Sequence, residues 1–262
     1  MAIPILMYHS IDVDCSAKYA RWMVTPDRLE AQLVSFLDRG YRFLTVSELA
    51  SARERGANDK LAAITFDDGL ADFASGAMPV LERLGVPATL FVATGYVGAT
   101  ARWLTDLDEG ARPMLSRDDL RALSRSGVEC GAHSHTHPQL DLLDDVRANR
   151  EICTSRDRLG DWMGEAPKSF AYPHGYSTRT VRAMVSRAGF DAACRVAHAL
   201  SDEFEDRYAL SRIIMTQDID ALTLDTILAG SDIPLTPPND SIPIRAWRMV
   251  RQIKSMSARI NQ

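Results

Sequence analysis

Residues 61 to 66, Leu-Ala-Ala-Ile-Thr-Phe, form a nearly continuous apolar run that ends abruptly in Asp67-Asp68-Gly69. A short run of this kind, bounded by turn residues, reads as a strand covered on both faces, the kind found in parallel sheets flanked by helices. The two carboxylates then fall at the carboxyl end of that strand, where Gly69 permits a sharp turn. Successive side chains at a strand end point to different sides, so the two acids can take different partners. One is free to bind a cation while the other stays available as a base.

The rest of the chain supports an α/β architecture. Thr25 caps and Pro26 opens a helix whose Leu29, Leu33, Phe36 and Leu37 share one apolar face, with Gly40 as its stop. Strands are expected near Arg42 to Thr45 and at Leu61 to Phe66, followed by a helix toward Leu84 and a strand over Ala88 to Ala93. Ser116 with Asp119 makes a capping pattern ahead of Leu120 and Leu123. Then come a strand over Val128 to Ala132, a helix from Asp144 to Met163 carrying Ile152, Leu159 and Trp162, a strand over Lys168 to Tyr172, a helix to Ala188 and a strand over Asp191 to Val196. Such alternation argues for mostly parallel strands, although closure into a barrel cannot be read from spacing. At 262 residues and 46% hydrophobic the chain can bury one large core, without repeats or an apolar run of membrane-spanning length.

A second polar cluster, Gly131-Ala132-His133-Ser134-His135-Thr136-His137-Pro138, follows another short apolar segment. His133 therefore lies at a strand terminus, His137 returns to the same side if the chain turns helically, and Pro138 stops any long helix. Two imidazoles and one carboxylate leave positions open on a divalent cation, as a catalytic site requires and a closed structural site does not. Zinc is the default for this donor set, which does not exclude cobalt, nickel, manganese or iron. Taken singly, Asp-Asp-Gly is an ordinary turn signal and the histidine run a solvated loop or adventitious metal binder. Jointly they read differently, because five of the six histidines (His9, His133, His135, His137 and His174) fall at predicted strand ends or their turns, with only His198 elsewhere. Parallel sheets and barrels place their chemistry at those ends.

The Thr-Phe-Asp-Asp-Gly box of residues 65 to 69, the His-Ser-x-Thr-His-Pro box of 133 to 138 and the Phe-Ala-Tyr-Pro-His-Gly stretch of 170 to 175 resemble the polysaccharide deacetylases, the NodB-type carbohydrate esterase family 4, over roughly residues 1 to 215. The resemblance implies a distorted (β/α) barrel with fewer than eight regular units. It implies Asp67 as general base and Asp68, His133 and His137 as metal ligands. His135 occupies a variable position of the box, to be second to the ligands or substrate-facing. Tyr172, Pro173 and His174 would wall the groove and offer a backbone N–H to the oxyanion. Two departures stand out. The family's arginine before the proline of the third box is here Ala171, with Arg212 the candidate replacement. The family's late general-acid histidine is not evident either, and Ile3-Pro4-Ile5-Leu6-Met7-Tyr8-His9 instead resembles a circularly permuted branch with Met-Tyr-His placed first, which makes His9 the expected acid.

The loop of residues 95 to 113 is long and irregular, as functional loops often are; its Trp103 is expected to stack on a sugar ring, with plain packing as the alternative. The net charge of −5 gives no nucleic-acid footprint. Cys15, Cys130, Cys153 and Cys194 form no Cys-x-x-Cys pair, so a zinc ribbon is excluded and a disulfide framework is not expected. The amino terminus has no basic region, secretory apolar stretch or cleavage site, giving the expectation of a cytoplasmic protein if that start is native, though a trimmed chain would look the same.

Residues 1 to 230 read as one catalytic domain, and 231 to 262 as a proline-rich linker with a basic tail. Arg245, Arg248, Arg251, Lys254 and Arg259 accompany Trp247, Val250, Ile253 and Ile260 on a potential helix face, suited either to peripheral contact with an anionic membrane or to packing on the barrel. The expected partner is an N-acetylated sugar, in a polysaccharide, oligosaccharide or glycoconjugate intermediate, from which acetate is released with the help of one divalent metal ion. An O-acetyl esterase or non-sugar amide hydrolase on the same site is the alternative, followed by a non-catalytic glycan-binding module. The sequence does not fix the oligomeric state.

Overall fold

A computed structural model describes residues 3–57, 60–231, 233–234, 247, 250 and 251. Ten strands are present among them: β1 (Ile5–Tyr8), β2 (Ser10–Ile11), β3 (Met23–Val24), β4 (Arg42–Leu44), β5 (Leu61–Phe66), β6 (Thr89–Val92), β7 (Glu129–Ala132), β8 (Ser169–Ala171), β9 (Ala192–Cys194) and β10 (Ile213–Ile214). Seven α-helices accompany them: α1 (Pro26–Asp38), α2 (Val46–Glu54), α3 (Met78–Leu84), α4 (Arg117–Arg125), α5 (Asp145–Met163), α6 (Arg179–Arg187) and α7 (Ala221–Leu228).

Eight strands form one parallel sheet in the order β10-β1-β5-β6-β7-β8-β9, with β4 also paired to β5, while β2 and β3 make a separate parallel pair. A bridge between Cys194 and Leu210 brings the β9 edge toward the segment leading into β10, so the sheet curls back on itself. The result is the expected distorted barrel.

Strand periodicity divides the interior in two. Leu6, Tyr8, Ile64, Phe66, Leu90 and Val92 face the helices and pack with Leu29, Leu33 and Phe36 of α1. Ile5, Ala63, Phe91, Ala171 and Cys194 face the lumen, together with Val46 and Leu49 of α2. Ala63, Thr65 and Asp67 therefore share the inner face, which delivers Asp67 to the lumen at the end of β5.

The capping residues work as read. Thr25 Oγ1 accepts from the Arg28 N–H at 3.3 Å, Ser116 and Asp119 form a reciprocal capping box, and Asp144 caps α5. A π-helical turn, Phe73–Ala77, follows the Asp-Asp-Gly corner and presses directly on β2: a Cβ built on Gly76 would lie 1.9 Å from the Ile11 carbonyl oxygen. Gly76→Ala is thus expected to destabilise the protein by about 2 to 3 kcal/mol, as overpacking against backbone does, visible as a lower urea midpoint.

No helix among the described residues is long and apolar enough to cross a membrane. Most of the tail, including Ile253 and Ile260, lies outside the described residues. Its described residues meet the barrel: Trp247 Nε1 donates to Tyr176 Oη at 3.2 Å, and Arg251 pairs with Asp141 at 2.6 Å while lying over the Tyr176 ring at 3.5 Å. The four cysteines are free thiols.

Candidate active site

Asp67 and Asp68 leave β5 at its carboxyl end and are both almost fully buried. They are separated by backbone geometry as much as by side-chain alternation. Asp68 has φ +75°, and the Gly69 N–H bonds back to the Asp67 carbonyl at 3.0 Å, making a tight turn centred on a non-glycine residue. Such turns are strained and persist where the surroundings impose them. The turn sends the two carboxylates to different partners.

Asp67 is gripped by Arg212, which is fully buried. Nη1 donates to Oδ1 at 2.6 Å and Nη2 to Oδ2 at 2.8 Å. Two further Arg212 N–H groups are engaged, Nη1 also donating to Thr65 Oγ1 at 3.1 Å and Nε to the Arg195 carbonyl at 3.2 Å. Burial alone would raise the Asp67 pKa; the Arg212 charge, then His133 and the Arg212 hydrogen bonds, reverse this and hold it below the ordinary carboxylate value. Arg212 therefore sits against Asp67, the contact expected of the arginine missing from the third box, although it comes from the segment entering β10. Ala171, in the vacated slot, offers its carbonyl to His133 instead.

Asp68 faces the two histidines. Its Oδ1 lies 3.2 Å from His137 Nε2 and 3.7 Å from His133 Nε2, yet this buried oxygen has no hydrogen-bond partner among the described residues. One donor atom from each of Asp68, His133 and His137 falls within 4.8 Å of the others. His133 Nδ1 bonds the Ala171 carbonyl at 2.8 Å, a contact that needs its proton there and so leaves the Nε2 lone pair turned toward Asp68. Burial pushes the His133 pKa down to about 4, which keeps the ring neutral and competent as a ligand near pH 7. An orphaned carboxylate oxygen between two imidazole nitrogens is a donor set that fits a divalent cation, and it leaves further coordination positions open.

The route by which His137 reaches the site differs from the helical turn expected. Ser134 and His137 both adopt left-handed backbone, each with φ +60°, and the His137 N–H donates to Ser134 Oγ at 3.1 Å. A kinked turn does in five residues what a helical turn would have done.

Around this floor is a cavity of about 200 Å³ lined by His9, Asp67, Asp68, His133, His137, His174 and Trp103, along with Met7, Tyr19, Trp22, Leu104, Leu107 and Val196. His9 arrives through sheet register: Tyr8 pairs with Phe66, and the Asp67 N–H bonds the Tyr8 carbonyl at 2.9 Å, so His9 and Asp67 leave neighbouring strands side by side. Its ring packs on Trp22, 4.7 Å between centroids. Trp103 stacks on His137 at 4.9 Å and 27°. His174, at φ +58°, closes the far side 4.9 Å from the His137 ring, and burial followed by the nearby His137 pushes its pKa down to about 4.

Four of the expected site residues do not line the cavity, one of them Arg212, which lies behind Asp67 with no exposed surface. Tyr172 is fully buried, its hydroxyl bonded to the Tyr208 carbonyl at 2.8 Å and its N–H to the Cys194 carbonyl at 3.1 Å. Sheet pairing therefore uses the Tyr172 amide, one of those in the stretch expected to offer an N–H to the oxyanion. Pro173 is buried and carries no N–H, which leaves His174 as the one residue of that stretch placed to supply such a donor. His135 turns away, its Nδ1 bonded to Thr94 Oγ1 at 2.9 Å.

Sequence reasoning also missed Tyr19 and Trp22, which sit in a polar loop without periodicity and give no local signal. They are placed by Arg112, whose guanidinium pairs with Asp72 at 2.9 Å, Asp12 at 3.0 Å and Glu109 at 3.1 Å, joining the loop after β2 to the loop that carries Trp103.

The comparisons with known proteins agree with this geometry. A family model described as polysaccharide deacetylase matches residues 54–193. YxkH of Bacillus subtilis (strain 168) is 26% identical over 214 residues, covering 80% of this chain and 70% of that protein. The poly-beta-1,6-N-acetyl-D-glucosamine N-deacetylase of Staphylococcus aureus (strain MRSA252) is 22% identical over 214 residues, covering 78% and 71%. Among solved structures, the Streptococcus pyogenes deacetylase PplD in complex with acetate superposes with a TM-score of 0.75 at 26% identity, over 87% of this chain and 98% of that one. With its parallel curled sheet and its buried Asp-His-His group at the strand ends, this chain belongs to the polysaccharide deacetylase family.

Proposed function

We propose that the protein hydrolyses the N-acetyl group of an N-acetylated sugar, in a polysaccharide, oligosaccharide or glycoconjugate, releasing acetate and a free amino sugar. The observation that carries this reading is the division of labour between two adjacent carboxylates, Asp67 held by Arg212 and Asp68 turned toward His133 and His137. Asp68, His133 and His137 would hold one divalent cation, zinc being the first choice for this donor set, and such an ion polarises an acyl oxygen and lowers the pKa of bound water. Asp67 is the general base that takes a proton from the attacking water. Arg212 keeps it ionised and fixes its orientation. His9, on the neighbouring strand, gives a proton to the departing nitrogen, and His174 lines the acyl side with its backbone N–H. The resulting pairing of a base with a separate acid is the usual arrangement for hydrolysis of an unactivated amide.

The test is acetate release from N-acetylated and O-acetylated oligosaccharides, before and after chelation and metal restoration. Release from the N-acetylated sugar, abolished by chelator and restored by metal, is expected; release confined to O-acetyl esters would reassign the bond cleaved.

Arg212→Met should move the acid limb of kcat/KM to higher pH. The sign follows from the charge: Arg212 favours ionised Asp67, so its removal raises that pKa and a higher pH is needed to generate the base. The variant should also lose about 3 kcal/mol or more of stability, because a buried carboxylate is left without its counterion. An unchanged acid limb in folded protein would show that Asp67 is not the titrating base.

A further inference from the structure

The hydroxyl of Tyr19 has no role in the reaction as described, and its surroundings do not explain it. Tyr19 is 1% exposed, and its hydroxyl has no hydrogen-bond partner among the described residues although the residue lines the same cavity as Asp68. A buried hydroxyl without a partner costs about 1 to 3 kcal/mol, which is why native proteins leave few of them.

The ring is not free to seek a partner elsewhere. The Arg112 guanidinium lies 5.3 Å from its centroid, and Leu70, Ala101, Leu104 and Met114 pack around it. Its backbone is fixed as well, with the N–H on the Ser16 carbonyl at 3.0 Å, while Ser16 Oγ donates to the Leu107 carbonyl at 2.6 Å. The loop is therefore organised to hold one phenol at the wall of the cavity. A second orphaned donor, Trp103 Nε1, belongs to the same cavity. The other wall residues, Leu104, Leu107, Trp22 and Val196, are apolar or aromatic.

The position of these donors says what they read. The groups assigned to the acyl carbon come from strand ends, whereas Tyr19 and Trp103 come from the loops after β2 and β6, which supply much of the rest of the cavity lining. We infer that Tyr19, with Trp103 beside it, is a specificity-determining residue that hydrogen-bonds a hydroxyl of the sugar carrying the acetamido group. This inference rests on the deacetylase reading above. A phenol both donates and accepts, so it suits a sugar hydroxyl, and a site that pairs with a substrate hydroxyl discriminates strongly against molecules lacking it.

Tyr19→Phe removes the hydroxyl and keeps the ring. On an N-acetylglucosamine oligosaccharide the variant should lose about tenfold in kcat/KM, the size of one neutral hydrogen bond. On p-nitrophenyl acetate, which offers the acyl group without any sugar hydroxyl, the change should stay under about twofold. The melting temperature should be unchanged or higher, because the variant no longer buries an unsatisfied hydroxyl, and metal content should be unaltered. Equal loss on both substrates would place the hydroxyl at the acyl centre, no loss on either would show that no substrate reads it, and a lower melting temperature would reveal a structural partner; each overturns the inference. A parent enzyme that releases acetate from p-nitrophenyl acetate but from no sugar would overturn this inference and the reading beneath it together.

Discussion

Asp67→Asn should retain its metal and lose between about 10² and 10⁴ of kcat, the range that general base catalysis supplies. Both Asp67 oxygens are occupied by Arg212, and its nearer approach to a ligand atom, Oδ2 to His133 Nε2, is 4.0 Å, so the carboxylate belongs to the arginine more than to the Asp68, His133 and His137 group. Asparagine preserves the shape and can still accept one of the guanidinium hydrogen bonds, but it cannot take a proton from water. The substitution has a structural cost of its own, because Arg212 is left buried with its charge uncompensated; stability should fall by about 3 kcal/mol or more. Activity must accordingly be compared on protein shown by circular dichroism to be folded at the assay temperature. Metal per chain, measured in the same samples, decides the question: a variant that loses turnover and metal together would deny Asp67 its separate role.

His133→Ala should fail in the opposite order, losing metal first and activity as a consequence. Its imidazole is fixed from behind by the Ala171 carbonyl at 2.8 Å, so that the other nitrogen needs no reorientation to bind. Outer partners of this kind commonly control metal affinity by about 10 to 100-fold, and removal of the ligand itself should exceed that range. Added metal should restore a chelated parent fully while leaving both variants inactive, Asp67→Asn because its metal was never lost and His133→Ala because the ion is not retained. Elemental analysis after desalting separates the two cases, and metal bound one to one by His133→Ala would remove this residue from the ligand set.

Much of this architecture is legible in the sequence because its signals are local. The strand Leu61–Phe66 is read to the residue from its apolar run, and α1 and α4 are announced by their caps. Helix α2 carries a full capping box at Thr45 and Glu48, yet its run of Ala, Ser and Arg gives little periodicity and escapes notice. The two-residue strands β2, β3 and β10 owe their existence to neighbours and carry no pattern of their own. The site divides in the same way. Asp68, His133 and His137 are visible as boxes, whereas the grip of Arg212 on Asp67 joins positions 145 residues apart and is accessible only to reasoning about a missing arginine. Tyr172 shows the converse hazard: its motif is intact, but sheet hydrogen bonds use its own amide, and of the three residues expected to wall the groove only His174 lines the cavity.

The placement of β1 between β5 and β10 also governs when the protein becomes active as it folds. Leu6 must find Ile213, about two hundred residues further along the chain, and pairings of such sequence separation close slowly because loop entropy is lost before any contact is gained. His9 immediately follows β1 and Arg212 immediately precedes β10, so neither the proposed acid nor the anchor of the proposed base can be assembled from a local fragment. Recovery of turnover after dilution from urea should therefore track the slowest refolding phase, trailing the burst in which helical signal returns.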